Sequence, residues 1–423
     1  MRWTSRFGFF ALALLACGYG SAEEFFFKDG DKVVMIGDSI TEQHLYSNFV
    51  ETWVTTRFPG WKLTFRNVGI SGDRSPGGNE RFTRDVAFFK PTALTVDFGM
   101  NDGGYRAFDE SGFKTYLEGL KGMADQAKAA HIRVAWLTPQ PIDNADPGPT
   151  ALTGYNETLE KYSAGLKTIA VENGGLFVDQ FHPYLNVLNG ARSRQQTYVP
   201  ISGGDPVHPW SPGQALMAAS ILKGIHFPTT VSSVSIDLVS GRIDAERAAV
   251  MDLKKHEGGV TFLRKDEGLP YFPEHASGIL PWAPLCEELN RYTLKITGLN
   301  AGNYDIRLGG VTVAQYTAAD LGKGVNLAEA ALKTGPVAEQ VRAIESAIRI
   351  KNEYHHDQIF RGVHLAPVQI PPWLNVKVSP AEIEARKQEV LKERYAELEK
   401  RDEAVWATLP VKGHTVEIIP ARS

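Results

Sequence analysis

Cysteine is almost missing from this chain: of 423 residues, only Cys17 and Cys286 carry a thiol. Cys17 lies in a leader-like segment, so Cys286 is left without an intrachain partner and the fold cannot rely on disulfides, even in an oxidising compartment. An excess of basic charge is missing as well. The net charge is -4, with no basic tract or low-complexity segment, which leaves no electrostatic footprint for nucleic acid. Beyond the N terminus, no stretch approaches the roughly 20 apolar residues that a transmembrane helix needs. The string G-x-S-x-G, the nucleophile elbow of α/β-hydrolases, does not occur either.

What is present describes a globular protein. Apolar residues make up 43% and charged residues 22% of the chain, and its length calls for two or three domains rather than one core. Arg2 and Arg6 lead into the apolar run Phe7 to Ala16, and Gly20-Ser21-Ala22 follows. That pattern is an export signal, residues 1–22, with cleavage after Ala22. Leu14-Leu15-Ala16-Cys17 also resembles a bacterial lipobox, in which Cys17 would become a lipid-modified N terminus. Soluble export to the periplasm or outside the cell and lipid anchoring through Cys17 therefore both stand.

From Val33 to about Lys223, short apolar runs alternate with amphipathic segments. Val33–Ile36, Leu63–Val68, Leu94–Phe98, Val134–Leu137 and Leu176–Val178 read as buried strands, with helices around 41–57, 79–89, 110–130, 152–173 and 211–224. This alternation predicts an α/β unit over residues 23–228, a parallel five-stranded sheet covered on both faces. Past Phe227-Pro228 the period falls to two. Val234/Ile236/Leu238 and Tyr292/Leu294/Ile296 alternate, and Gly309-Gly310 joins two alternating runs as a hairpin, so 229–325 reads as a small antiparallel β accessory domain, most simply a β-sandwich. Residues 326–423 read as a helical C-terminal region. Val337, Val341, Ile344 and Ile348 share one helix face, and Ser379-Pro380-Ala381-Glu382 makes a capping box ahead of a charged helix with an apolar stripe, best packed on the same chain.

The chemistry centres on Gly37-Asp38-Ser39, where the first strand stops and a helix-like pattern begins. Ser39 reads as a nucleophile held at the carboxyl end of the sheet, or more blandly as a helix N-cap. Asp205 and His208 stand three residues apart in a Pro-rich loop, a spacing that lets the carboxylate fix the imidazole tautomer and free its other nitrogen for a serine proton. Asn101, after the third strand, and a glycine of Asn67-Val68-Gly69-Ile70-Ser71-Gly72, after the second, offer donors for an oxyanion or ordinary turn chemistry. Trp210 beside His208 is either a pocket wall or loop packing. Tyr354, Arg361 and His364 fall in an irregular polar stretch that could reach over the site. His355-His356-Asp357 does not make a convincing metal site, because adjacent histidines cannot easily share one ion.

These blocks resemble, in order and over about residues 30–225, the SGNH hydrolase superfamily of GDSL-like esterases and lipases. Gly37-Asp38-Ser39 carries the nucleophile Ser39, Gly72 and Asn101 match the oxyanion-hole positions beside the Ser39 N–H, and Asp205-x-x-His208 completes the triad. Ile40 stands where many members have Leu. The resemblance implies a flavodoxin-like three-layer sandwich with strand order 2-1-3-4-5, and a serine esterase that needs neither metal nor cofactor. Export and the added β-rich region favour a glycan ester, with acetyl the simplest acyl group. A lipid or lysophospholipid acylhydrolase, a sugar acyltransferase with the same triad and a non-catalytic carbohydrate-binding protein are the alternatives. The oligomeric state is not encoded in these patterns.

Overall fold

The computed structural model describes residues 24–144, 152–367, 373 and 377–421; the expected export signal and Cys17 lie outside them. The first half runs β1 (Lys32–Gly37), α1 (Ser39–Glu42), α2 (Leu45–Arg57), β2 (Thr64–Asn67), α3 (Ser75–Asp85), β3 (Ala93–Asp97), α4 (Glu110–Ala129), β4 (Arg133–Leu137), α5 (Tyr155–Glu172), β5 (Leu176–Val178), α6 (Phe181–Arg194) and α7 (Ser211–Gly224). The five strands form one parallel sheet in the order β2-β1-β3-β4-β5. Successive residues of a strand point to opposite faces, so β1 feeds two cores. Val33 and Met35 enter one, whereas Val34 and Ile36 enter the other. The strand order reverses beside β1, which places a ligand crevice at the carboxyl ends of β1 and β3.

Two details of this half depart from the sequence reading. The predicted helix at 41–57 is broken at His44, which takes a left-handed φ of 60° between α1 and α2. Helix α6 went unpredicted, because Pro183, Gly190 and several polar residues mask a buried face of Phe181, Tyr184, Leu188 and Ala191.

The second half runs β6 (Thr230–Asp237), β7 (Ile243–Glu246), β8 (Ala248–His256), β9 (Gly259–Asp266), α8 (Leu285–Leu289), β10 (Arg291–Thr297), β11 (Asn303–Leu308), β12 (Val311–Thr317), α9 (Ala318–Lys323), β13 (Val325–Asn326), α10 (Ala328–Lys333), α11 (Pro336–Tyr354), α12 (Pro380–Ala407) and β14 (His414–Pro420). Its strands make two sheets, β13-β10-β6-β7 and β12-β11-β14-β9-β8. The β11–β12 hairpin turns at Gly309-Gly310 as expected, with Leu308 opposite Val311. One pair is not antiparallel: β6 and β10 run parallel, because a long excursion through β7, β8, β9 and α8 separates them. Segment 229–325 also does not close its second sheet alone. Strand β14, after the long helix, inserts between β9 and β11 and pairs two edges that would otherwise lie open.

The halves share one core. Trp53 of α2 meets Tyr271 edge to face at 5.1 Å, and the apolar face of α7 merges with Val231, Val234 and Tyr292 of the β region. Buried ion pairs tie α11 to α2, Lys351 Nζ to Glu51 Oε1 at 2.6 Å, and α12 to strand β2, Asp402 Oδ2 to Arg66 Nη2 at 2.5 Å. The α12 stripe therefore packs on its own chain, Leu391 and Leu398 lying against Ile359 and Val363.

Candidate active site

Ser39 opens α1, two residues beyond the end of β1. Asp38 caps that turn, its Oδ1 accepting the Ile40 N–H at 2.9 Å. The Ser39 side chain is thereby left free to face the loop between α6 and α7. That loop returns His208 Nε2 to 3.0 Å from Ser39 Oγ. On the other side of the ring, Nδ1 lies 3.0 Å from Asp205 Oδ2. With the Nδ1 proton donated to the carboxylate, Nε2 is the acceptor for the serine hydroxyl.

The three-residue spacing works because Asp205 Oδ1 also accepts the N–H groups of Val207 and His208, each at 2.8 Å, and folds the loop around the carboxylate. Burial pushes the Asp205 carboxyl up, but these two N–H groups and the imidazole outweigh it and hold the group below its ordinary range. The pair is nevertheless open to water, the side chains of His208 and Asp205 being 36% and 60% exposed. Supports for the loop come from outside it. Gln140 Nε2 donates to Val207 O at 3.1 Å, and Asp143 Oδ2 accepts the N–H groups of Ile201 and Ser202, each at 3.0 Å. Gly204 takes a φ of +75°, where a Cβ would sit 2.1 Å from His208 O.

The two candidate oxyanion glycines separate clearly. The Gly69 N–H is taken by Asn67 Oδ1 at 2.9 Å, and Gly69 is pressed against α1, where a Cβ would lie 2.4 Å from Glu42 N. Gly72 occupies the third position of the turn Ile70–Asp73, closed by Asp73 N to Ile70 O at 3.1 Å, with the φ of +75° that a type II turn demands there. Among the described residues its N–H meets no acceptor. Asn101 is brought alongside. Tyr105 OH donates to its Oδ1 at 2.6 Å and so fixes which way the amide points, while its Nδ2 donates to Asp73 O at 3.0 Å and Asp38 Oδ2 at 3.2 Å. Both amide hydrogens thus have acceptors in this state, and donation to a substrate oxygen exchanges one of them.

Several residues of the site carried no signal in the sequence beyond their type. Asp38 is buried, and desolvation, opposed by the Ile40 N–H but reinforced by Asp102 and Asp73, raises its carboxyl to about 7. Asp102 is raised to about 6 by burial, although Ser75 Oγ and the N–H groups of Ser75 and Gly99 donate to it. Arg81 is buried behind the turn, donating to Val68 O at 2.6 Å, Gly37 O at 3.1 Å and Asp73 Oδ2 at 2.7 Å. It ties the ends of β1 and β2 to the Gly72 turn.

Other sequence candidates fall elsewhere. Trp210 is 64% exposed. His364 pairs with Tyr395 OH at 2.8 Å, and Tyr354 lies under Arg401. Arg361 alone of that trio comes to α1, and the stretch expected to be irregular is π-helical over His355–His364, with Ile359, Phe360 and Val363 buried. His355 is buried and His356 faces Asp357 and Glu42; among the described residues no group of three metal-capable side chains converges.

A serine hydroxyl on an imidazole on a carboxylate, beside an open N–H and a fixed amide, defines the serine-dependent acyl hydrolases. Residues 35–216, somewhat less than half of the chain, match the model of the GDSL-like Lipase/Acylhydrolase family, which supports a carboxylic ester hydrolase of the GDSL or SGNH type. An acetylxylan esterase of Geobacillus stearothermophilus is 26% identical over 220 residues, covering 47% of this chain and 95% of that protein. The solved structure of a gut microbial diltiazem-metabolizing enzyme has the same overall fold, with a TM-score of 0.79 over 95% of this chain and 100% of that one at 24% identity. The structure of an acetylxylan esterase from Geobacillus stearothermophilus aligns with 47% of this chain and 96% of its own, at 24% identity and a TM-score of 0.40.

Proposed function

We propose that the chain is an exported serine esterase that removes short acyl groups, acetyl foremost, from carbohydrate. The observation that carries this reading is the chain of contacts from Ser39 Oγ through His208 to Asp205, each link 3.0 Å long. In the proposed cycle, Ser39 Oγ attacks the ester carbonyl as its proton passes to His208 Nε2, and Asp205 stabilises the imidazolium. The Ser39 and Gly72 N–H groups and the Asn101 amide meet the oxyanion, each donor being worth on the order of 10²–10³ in rate. His208 then gives its proton to the departing alkoxide, and water, deprotonated by the same imidazole, releases the acid.

The acyl preference follows from shape and from a relative. A long acyl chain needs an apolar channel, whereas His208 and Asp205 stand at an open surface, and two large cavities among the described residues lie elsewhere. One of about 650 Å³ is lined by Arg133, Trp136 and Leu176, and one of about 770 Å³ lies between Trp61 and Trp406. An open site suits a small acyl group on a bulky alcohol. The acetylxylan esterase relative adds support for a glycan as that alcohol. Export rests on the N-terminal pattern and is tested by the mature N terminus, which is Glu23 after cleavage or lipid-modified Cys17.

A panel of p-nitrophenyl acetate, butyrate and palmitate with acetylated xylan, assayed with the parent protein and Ser39→Ala, tests the whole reading. Acetate release from the glycan and a preference for the shortest ester, both lost in Ser39→Ala, are expected. A preference for palmitate moves the protein to the lipid acylhydrolases. Glycan binding without turnover of any ester defeats the enzymatic account.

A further inference from the structure

Immediately after the nucleophile, α1 ends in Glu42, whose two carboxylate oxygens face two different parts of the chain. Oε2 accepts the Ser71 N–H at 2.6 Å, in the turn whose next residue is Gly72. Oε1 accepts Arg361 Nε at 2.5 Å and faces His356 Nε2 at 3.4 Å, both from the C-terminal half. The carboxylate is largely shielded, and although burial alone would raise it, the contacts from His356, Arg361 and Ser71 bring it down to about 2. Charge-assisted bonds of this kind are the shorter and stronger ones.

The support behind Glu42 is itself unusual. His356 and Arg361 sit on the π-helical stretch His355–His364, a conformation that rarely exceeds one turn and often marks functional sites. An ordinary α-helix continuing α11 would turn these two side chains to different bearings. The stretch is held by its buried Ile359, Phe360 and Val363 and by Arg394, whose guanidinium donates to Gln358 O. The ring of His44 meets that of His356 edge to face at 5.0 Å and closes the other side.

We infer that Glu42 and Arg361 are positioning residues for ester hydrolysis: Arg361 of the C-terminal segment clamps Glu42, and Glu42 sets the turn that presents the Gly72 N–H to the oxyanion. The inference rests on the proposed roles of Ser39 and Gly72 and gives the C-terminal half a part in the reaction. Ser71 N is the amide nearest Gly72 that a side chain of α1 grips, so slackening Glu42 lets the Ser71–Gly72 peptide rotate. Misplacing a catalytic group by about 1 Å can cost on the order of 10²-fold.

The test measures kcat and KM on p-nitrophenyl acetate for the full-length parent, Ser39→Ala, Glu42→Ala, Arg361→Ala, Arg361→Lys and the double variant Glu42→Ala/Arg361→Ala, with melting temperature followed in parallel. Loss of kcat of roughly 10- to 100-fold at near-parental KM is expected for each single alanine variant. Since Arg361 acts through Glu42, the double variant should lose no more than Glu42→Ala, and Arg361→Lys should recover part of the rate. If folded Arg361→Ala keeps kcat within about twofold of the parent, or the two losses multiply, the positioning role is overturned while the Ser39 reading stands. If the parent is inactive or Ser39→Ala retains its rate, both fall. Arg361 is partly exposed, so its variants decide the matter even if Glu42→Ala does not fold.

Discussion

Asp205→Asn asks how much a triad carboxylate contributes when water can reach it. The substitution keeps the loop, because an amide oxygen can still accept the Val207 and His208 N–H groups now bonded to Oδ1 at 2.8 Å. What changes is the group facing His208 Nδ1 at 3.0 Å, from an acceptor to an N–H donor. Nδ1 must then accept, and Nε2 carries the proton and cannot take one from Ser39. The variant also loses the attraction between carboxylate and imidazolium. At about 4 Å between charge centres that attraction is about 1 kcal/mol in water and about 4 kcal/mol at an effective dielectric constant of 20. With Asp205 60% exposed, the value belongs between these limits, so the expected loss in kcat is about 10²-fold. That is well short of the about 10⁴-fold lost when a buried triad aspartate becomes asparagine. Steady-state hydrolysis of p-nitrophenyl acetate at pH 7 measures it, with KM nearly unchanged. A loss under about threefold would remove Asp205 from the mechanism, and one of 10⁴-fold or more would refute the argument from exposure.

Three further outcomes follow from the same contacts. Lys351→Met strands the Glu51 carboxylate, which Lys351 Nζ meets at 2.6 Å in the core; equilibrium urea unfolding should show a loss of about 3–5 kcal/mol, and a loss below about 1 kcal/mol would mean that Asn352, whose Nδ2 donates to Glu51 Oε2 at 2.7 Å, suffices alone. Asp38, its carboxyl raised to about 7, keeps a proton when folded that the unfolded chain releases near pH 4. Its contribution is therefore full at lower pH and is lost as pH rises from about 4 to about 7, at about 1.4 kcal/mol per pH unit. Asp38→Asn, which still caps α1, should remove that component of the stability-versus-pH slope, and an unchanged slope would contradict the assignment. Gly204→Ala places a Cβ 2.1 Å from His208 O at a φ of +75°, so kcat should fall while far-UV circular dichroism is retained; parental activity would show that the His208 loop moves freely.

The parallel sheet was legible because its strands are buried on both faces. Runs such as Val33–Ile36 admit no polar residue and stand apart from the amphipathic helices between them. That Ser39, His208 and Asp205 would face one another was suggested for a related reason: Gly37-Asp38-Ser39 at the end of β1 and Asp205-x-x-His208 ahead of α7 are short motifs whose turn chemistry can be read locally. What could not be read depends on partners distant in the chain. Nothing local in His355–His364 announces a π-helix, which arises as Ile359, Phe360 and Val363 seat against α12 and the sheet. Strand β14 alternates Val416 and Ile418 clearly enough, yet its place between β9 and β11 is a matter of tertiary pairing. The choice between Gly69 and Gly72 likewise needed the Asn67 side chain in place. Helix α6 is different, since Phe181, Tyr184, Leu188 and Ala191 keep helical spacing and a period count over 181–194 would have found it.

The central claim is that the Ser39 oxygen, lying 3.0 Å from His208 Nε2, is the nucleophile. Intact-mass and peptide analysis after treatment with a fluorophosphonate tests it most directly. One adduct per chain is predicted, mapping to the peptide that holds Ser39 and forming far more slowly in His208→Ala. An adduct on another residue, or labelling of Ser39 at the parental rate without His208, would contradict the account.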